Sequence, residues 1–323
     1  MLKYFIFFVI VLISSELSFS QVPAPTLQQG EYWTQLFSAA YDYQTNGTVR
    51  YIVQNPANPN GLCAILMAQE DSTSLPGQTN RYVYCSYSSN GGKNWTKNVV
   101  NDSVFYGYPC IDLRNGIPVI AMHMNDPFPN QRTHVFKDNS FGGNSFTEIT
   151  GIPANVTIQW PHMCVSSNGN IIVAGSQPTI VNALYTIFNG TSWSPLVELP
   201  NTGGPSGQFS IESGPNGLVY IFGLNYVSTP PVDFGTKLWT STNNGLNFTL
   251  QDGSNAPPFF LMPAVDTLAD YIDGGRQGIY VGNEIHLVYS VYSTNSEILP
   301  NPSNTIWFKK AKIVHWSPST GID

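Results

Sequence analysis

Five times in this chain an aromatic residue opens a strand-like run, at Tyr51, Tyr108, Trp160, Phe209 and Tyr271. The spacing is roughly fifty residues, the period of a repeated supersecondary unit that cannot bury its own faces and must stack on its neighbours. A turn signal follows each opening: "NPNG" from Asn58, "RNG" from Arg114, "SNG" from Ser167, "PNG" from Pro215 and "GN" at Gly282. Asn-Gly pairs accept the positive φ that a two-residue hairpin requires, so each signal is read as a hairpin. Beyond the turns run "LCAILMAQ", "IPVIAMHM", "NIIVAGS", "LVYIFGL" and "IHLVYSVY". Continuous apolar runs of this length indicate strands covered on both faces, as when sheets are stacked on sheets. A third strand comes next, such as "RYVYCSYS" or "KLWTST", and then a second tight turn.

Only 10% of the 323 residues are charged, and Asn, Ser, Thr, Gly, Pro and aromatics are abundant. That composition favours short strands and many turns over helices. The expected fold is all-β, a β-propeller of five or six four-stranded blades. Five repeats are countable. The sequence after Trp316 is short, so "GEYWTQLF" around Trp33 is the expected source of the last blade's outer strand. A second strand from residues 31 to 48 would make six blades.

The second turn recurs as "SSNGGKNW" ending at Trp95, "NSFGGNSF" at Phe146, "TIFNGTSW" at Trp193 and "STNNGLNF" at Phe248. Its pattern resembles the Asp-box, Ser/Thr-x-Asp-x-Gly-x-Thr-Trp/Phe, of the BNR-repeat, sialidase-like β-propellers. Ser88, Asn90, Gly92 and Trp95 match in one copy, and Ser241, Asn243, Gly245 and Phe248 in the other. The resemblance spans residues 30 to 320 and implies that these turns join the third and fourth strands of each blade as structural staples. It places them on the face opposite the ligand site. The family's arginine motif, Phe/Tyr-Arg-Ile-Pro, does not occur; the nearest string is "RNGIP" at Arg114, inside a hairpin turn. Sialidase activity is therefore not expected.

Lys3, the apolar run "YFIFFVIVLI" and "SFS" before Gln21 have the three parts of a secretory signal peptide. Residues 1–20 are expected to be removed, leaving one propeller domain over 21–323, secreted or at the cell surface. Exported proteins of this type often continue into sorting or adhesion domains. The apolar run is too short to span a bilayer and no later segment looks transmembrane. A net charge of −7 argues against nucleic acid, whose binding rests on basic residues that neutralise phosphates. The four cysteines are Cys63, Cys85, Cys110 and Cys164. A Cys63–Cys85 bridge across a hairpin is the favoured pairing, with buried free thiols as the alternative. No spacing suggests zinc.

If the turns are scaffold, chemistry belongs at the other face. The loops there bring Tyr108, Trp160, His162, His123, Asp126 and Tyr226, aromatic faces beside polar groups, as a carbohydrate site requires. Inner strands carry Asp112, Glu212 and Asp273. Paired carboxylates are what glycoside hydrolysis needs, whereas channel-lining carboxylates holding a cation are the structural alternative. Oxygen ligands would suit Ca²⁺, but no EF-hand loop is present and no cofactor is expected. The favoured function is a non-catalytic binder of an extracellular glycan or glycoprotein. A glycoside hydrolase using the carboxylates, or a structural module of a surface adhesin, are the alternatives.

Overall fold

The computed structural model describes residues 36, 41–42, 49–69, 81–102, 106–125, 131–153, 158–177, 180–200, 209–227, 233–252, 269–294 and 310–322. They form a β-propeller, with five antiparallel sheets among the described residues. A short strand β1 (Tyr41–Asp42) pairs with the far end of β3. Blade 1 then comprises β2 (Ile52–Asn55), β3 (Asn58–Gln69), β4 (Arg81–Ser88) and β5 (Thr96–Val99). Blade 2 holds β6 (Tyr106–Arg114), β7 (Ile117–Asn125), β8 (Gln131–Asp138) and β9 (Phe146–Glu148). Blade 3 holds β10 (Gln159–Val165), β11 (Ile171–Gln177), β12 (Ile180–Phe188) and β13 (Val197–Glu198). Blade 4 holds β14 (Phe209–Ser213), β15 (Val219–Val227), β16 (Asp233–Ser241) and β17 (Thr249–Leu250), and blade 5 holds β18 (Ala269–Val281), β19 (Glu284–Thr294), β20 (Lys310–Ser317) and β21 (Gly321–Ile322). No helix among the described residues is long and apolar enough to cross a membrane.

The continuous apolar runs are second strands, and their alternation explains them. On β7, Ile120 and Met122 pack towards Ile65 and Val83 of blade 1, while Val119 and Ala121 pack towards Met163 and Val173 of blade 3. On β11, Ile171 and Val173 face blade 2 while Ile172 and Ala174 face Phe209, Ile221 and Trp239 of blade 4. On β15, Tyr220 and Phe222 face Leu287, Tyr289 and Trp316 of blade 5. Both faces of these three strands are core, whereas on β19 Val288 is exposed; each fully buried large side chain contributes roughly 1.5–3 kcal/mol.

Three local expectations are corrected. The first hairpin turns at Pro56–Ala57, not within "NPNG", because Asn55 pairs with Asn58 and the Asn55 side chain accepts the Ala57 N–H at 2.9 Å. The fifth sheet receives its outer strand from its own end, since Gly321–Ile322 pairs with Trp316–Ser317; of "GEYWTQLF" only Leu36 is among the described residues. All four cysteines are buried free thiols. Cys63 lies opposite Tyr87 and Cys85 opposite Ile65, so the two sit diagonally. A hydrogen bond to Cys63, with burial, raises the Cys85 thiol above its ordinary range.

The recurrent second turns are built from their own polar side chains. Ser88 Oγ accepts the Gly92 N–H at 2.9 Å and donates to Asn90 Oδ1 at 2.9 Å, which accepts the Asn94 N–H at 3.0 Å. Ser241, Asn243, Gly245 and Asn247 repeat this set at 3.0, 2.8 and 3.2 Å. The copies ending at Phe146 and Trp193, which match the repeated pattern less closely, satisfy the turn from other positions: Asp138 accepts the N–H groups of Asn139, Asn144 and Ser145, and Asn189 those of Thr191 and Ser192.

Candidate functional site

The first strands of successive blades approach one another around the channel, and among the described residues no further strand pairs with their inner edges. Open edges must be covered or satisfied. Deep in the channel side chains do this. Asp112 Oδ2 accepts the Val165 N–H at 2.7 Å, and Ser213 Oγ donates to the Val165 carbonyl at 2.7 Å. Blade 3's exposed edge is thus capped from blade 2 and from blade 4.

Arg50, just before β2, completes the cluster. Its Nη1 donates to Asp112 and its Nη2 to Glu212, so one guanidinium bridges carboxylates of blades 2 and 4. The two carboxyl groups therefore converge well inside the about 10 Å limit of a two-carboxylate hydrolysis. Remaining capacity is spent on neighbouring backbone, with Asp112 Oδ1 accepting the Leu113 N–H at 2.8 Å and Glu212 Oε1 the Ser213 N–H at 3.0 Å. Burial pushes both carboxyls above the ordinary carboxylate range, and the Arg50 charge pulls them back. The side chain of Asp273 lies outside the described residues. Composition gave no sign of Arg50; the signal available was two inner-strand carboxylates that need a cation when buried.

The other end of the channel is aromatic. Tyr108 and Trp160 occupy equivalent register shifts, between Gly107 and Cys110 on β6 and between Gln159 and His162 on β10. Both have left-handed backbone, φ 50° and 49°, and both precede a proline. That region is unfavourable for bulky residues and more so before proline. A longer register shift interrupts β18 at Asp273, Gly274 and Gly275, and glycine is the residue that accepts left-handed backbone without strain. The two rings are half-buried and meet edge to face at 6.1 Å.

Beneath Tyr108 lies His123, 2% exposed, with ring centroids 4.7 Å apart. Its Nδ1 has no hydrogen-bond partner among the described residues. Burial and then the Arg81 charge push this imidazole down to about 3. The neutral ring binds its proton near 6.5 when unfolded, so stability present at neutral pH is lost as pH falls from about 6.5 towards 3, by an amount on the order of 4 kcal/mol at the acid end. Urea midpoints at pH 7, 5 and 4 are expected to converge between wild type and His123→Gln as the pH drops. A difference that is flat with pH would assign the acid sensitivity elsewhere.

His162 is corrected as a ligand contact: it is 1% exposed, packs on Phe209, and its Nε2 accepts the Phe209 N–H at 3.4 Å. Tyr226 is on β15, but its side chain, like Asp126, lies outside the described residues. Along β7, Val119 pairs with Asp112 and His123 with Gly107. Four residues of strand, roughly 13 Å, therefore separate the carboxylates from the aromatic end.

No family model and no curated protein matches this chain. Among solved structures it is similar to an α-L-arabinanase of Penicillium chrysogenum complexed with arabinobiose, at 14% identity and TM-score 0.52, over 84% of each chain. It is also similar to a protein of unknown function from Dyadobacter fermentans, at 14% identity and TM-score 0.50, over 83% of this chain and 87% of that one. At such identities the likeness is one of fold.

Proposed function

We propose that this chain is an exported carbohydrate-binding propeller that seats a glycan at the Tyr108–Trp160 end of its channel. One observation carries the reading: two bulky aromatics in neighbouring blades are held in a backbone region that costs about 1–3 kcal/mol each, at positions where glycine would serve the fold. Strain of this kind persists where it presents a side chain for use. Tyr and Trp suit such a mouth, each offering an apolar face to sugar C–H groups and a polar tip to hydroxyls. The carboxylates contribute little to this site, being locked to Arg50 some distance down the channel.

Hydrolysis is the second reading, favoured by the convergence of Asp112 and Glu212 with raised carboxyls and by the fold shared with an arabinanase. It requires Arg50 to yield one carboxylate to substrate.

Calorimetric titration with arabino- and xylo-oligosaccharides separates the readings. Trp160→Ala is expected to weaken binding at least tenfold, about 1.4 kcal/mol. Trp160→Gly should lose the same affinity while melting no lower than Trp160→Ala, since glycine relieves the left-handed strain. Reducing ends released by the wild type and lost in Glu212→Gln would favour hydrolysis. A wild type that binds none of these and no wider glycan panel would leave a structural module.

A further inference from the structure

We propose that the cleft between blades 2 and 3, on the turn face away from Tyr108 and Trp160, is an oxyanion site for the carboxylate or sulfate group of an acidic ligand. A cavity of about 100 Å³ opens there, lined by Arg114, Asn115, Ile117, Val119, Lys137 and Ile149. Arg114 is fixed in place from blade 3: its Nε donates to the Gly169 carbonyl at 2.8 Å, and its guanidinium lies 5.4 Å from the centroid of the Phe188 ring. These contacts set the plane of the fork and leave both terminal nitrogens without a hydrogen-bond partner among the described residues. Room for the fork comes from the blade 3 turn, where a Cβ on Gly190 would stand 2.6 Å from Arg114 Nη2.

Lys137 adds a second positive charge. It pairs with Val119 across β7 and β8, which puts its side chain on the face that looks into the cleft. It has no acidic partner among the described residues. Asp112 shares that face but is engaged by Arg50 and Val165, and Glu148 turns to His134 at 2.7 Å. Two uncompensated cations around one cavity are unexpected in a chain of net charge −7. A planar guanidinium fork matches a carboxylate or sulfate edge bidentately, and Lys137 supplies a point charge beside it. The apolar floor of Ile117, Val119 and Ile149 lowers the local dielectric and strengthens both attractions.

Calorimetric titration of the whole chain with sodium sulfate, and separately with sodium galacturonate, tests the site at ionic strength held constant with sodium chloride. Saturable binding of one or both is expected, with neutral galactose silent, and the preferred anion tells a sulfate ester from a uronate. Arg114→Gln and Lys137→Glu should each weaken it at least tenfold. Lys137 is exposed, so Lys137→Glu is expected to keep the wild-type melting temperature and to report on the site alone. No saturable binding of either anion, or binding that both variants leave unchanged, overturns the proposal.

Discussion

Arg50→Met is expected to destabilise the protein by about 2–4 kcal/mol, through what it leaves behind more than through the bond it removes. Breaking a buried ion pair by deleting one partner typically costs about 3–5 kcal/mol, because the remaining charge is uncompensated. Here the side chain of Arg50 is 35% exposed and those of Asp112 and Glu212 only 9% and 17%. Water reaching the arginine screens part of the loss, which sets the lower range. The pH dependence identifies the mechanism. Without Arg50 the folded carboxyls rise further above their unfolded values, so protonation favours the fold. The deficit should be largest at neutral pH and shrink as pH falls towards about 4. Chemical denaturation of wild type and variant at pH 7 and pH 4.5 reads this directly. Adding Asp112→Asn and Glu212→Gln to Arg50→Met should recover part of the loss at pH 7. A deficit independent of pH would mean that Arg50 acts by packing alone.

Gly245→Ala should cost about 2–4 kcal/mol while Gly92→Ala, at the matching position of the other self-bonded turn, costs only about 1–2 kcal/mol. Both glycines have left-handed backbone, φ 82° and 86°, and both would carry the penalty of a Cβ there. Their surroundings differ. A Cβ on Gly245 would stand 2.7 Å from Ile172 Cδ1, a fully buried side chain of blade 3, whereas a Cβ on Gly92 meets nothing closer than 3.4 Å. Overpacking a filled core adds about 1–3 kcal/mol. A double-mutant cycle separates the two terms: in an Ile172→Ala background, Gly245→Ala should fall to the cost seen at Gly92. Equal costs at the two glycines would remove the interblade contact from the account.

Gly142 and Gly190 extend the same lesson, since a Cβ on either would strike Tyr87 or Arg114 of the preceding blade. The recurrent turn is therefore a spacer between blades as well as a self-bonded hairpin. Its self-bonding was legible in "SSNGGKNW" and "STNNGLNF", because Ser-to-Gly and Asn-to-Asn hydrogen bonds span only four residues. Its spacing role was not, because Ile172 and Arg114 lie dozens of residues away in the chain. The middle copies read as degenerate, yet Asp138 and Asn189 cap those turns from shifted positions that a motif match does not anticipate.

At the candidate sites the division follows sequence distance. Tyr108 and Trp160 stood out as aromatics at equivalent positions, and the "YP" and "WP" pairs were visible, but the left-handed strain exists only once neighbouring strands fix the register. Asp112 and Glu212 were recognisable as inner-strand acids, whereas Arg50 preceded an aromatic without any pattern of its own. His162 looked like a ligand contact and is instead consumed by the Phe209 backbone.

The sequence by itself determined the blade period, the strand faces and four of the five first hairpin turns, because side-chain alternation and φ preference act over a few neighbouring residues. Only the tertiary structure decided which carboxylates meet, that an arginine from blade 1 neutralises them, and that Arg114 and Lys137 share a cleft. Those relations are distances across a channel or between sheets, and Coulomb energy and burial depend on such distances rather than on separation along the chain.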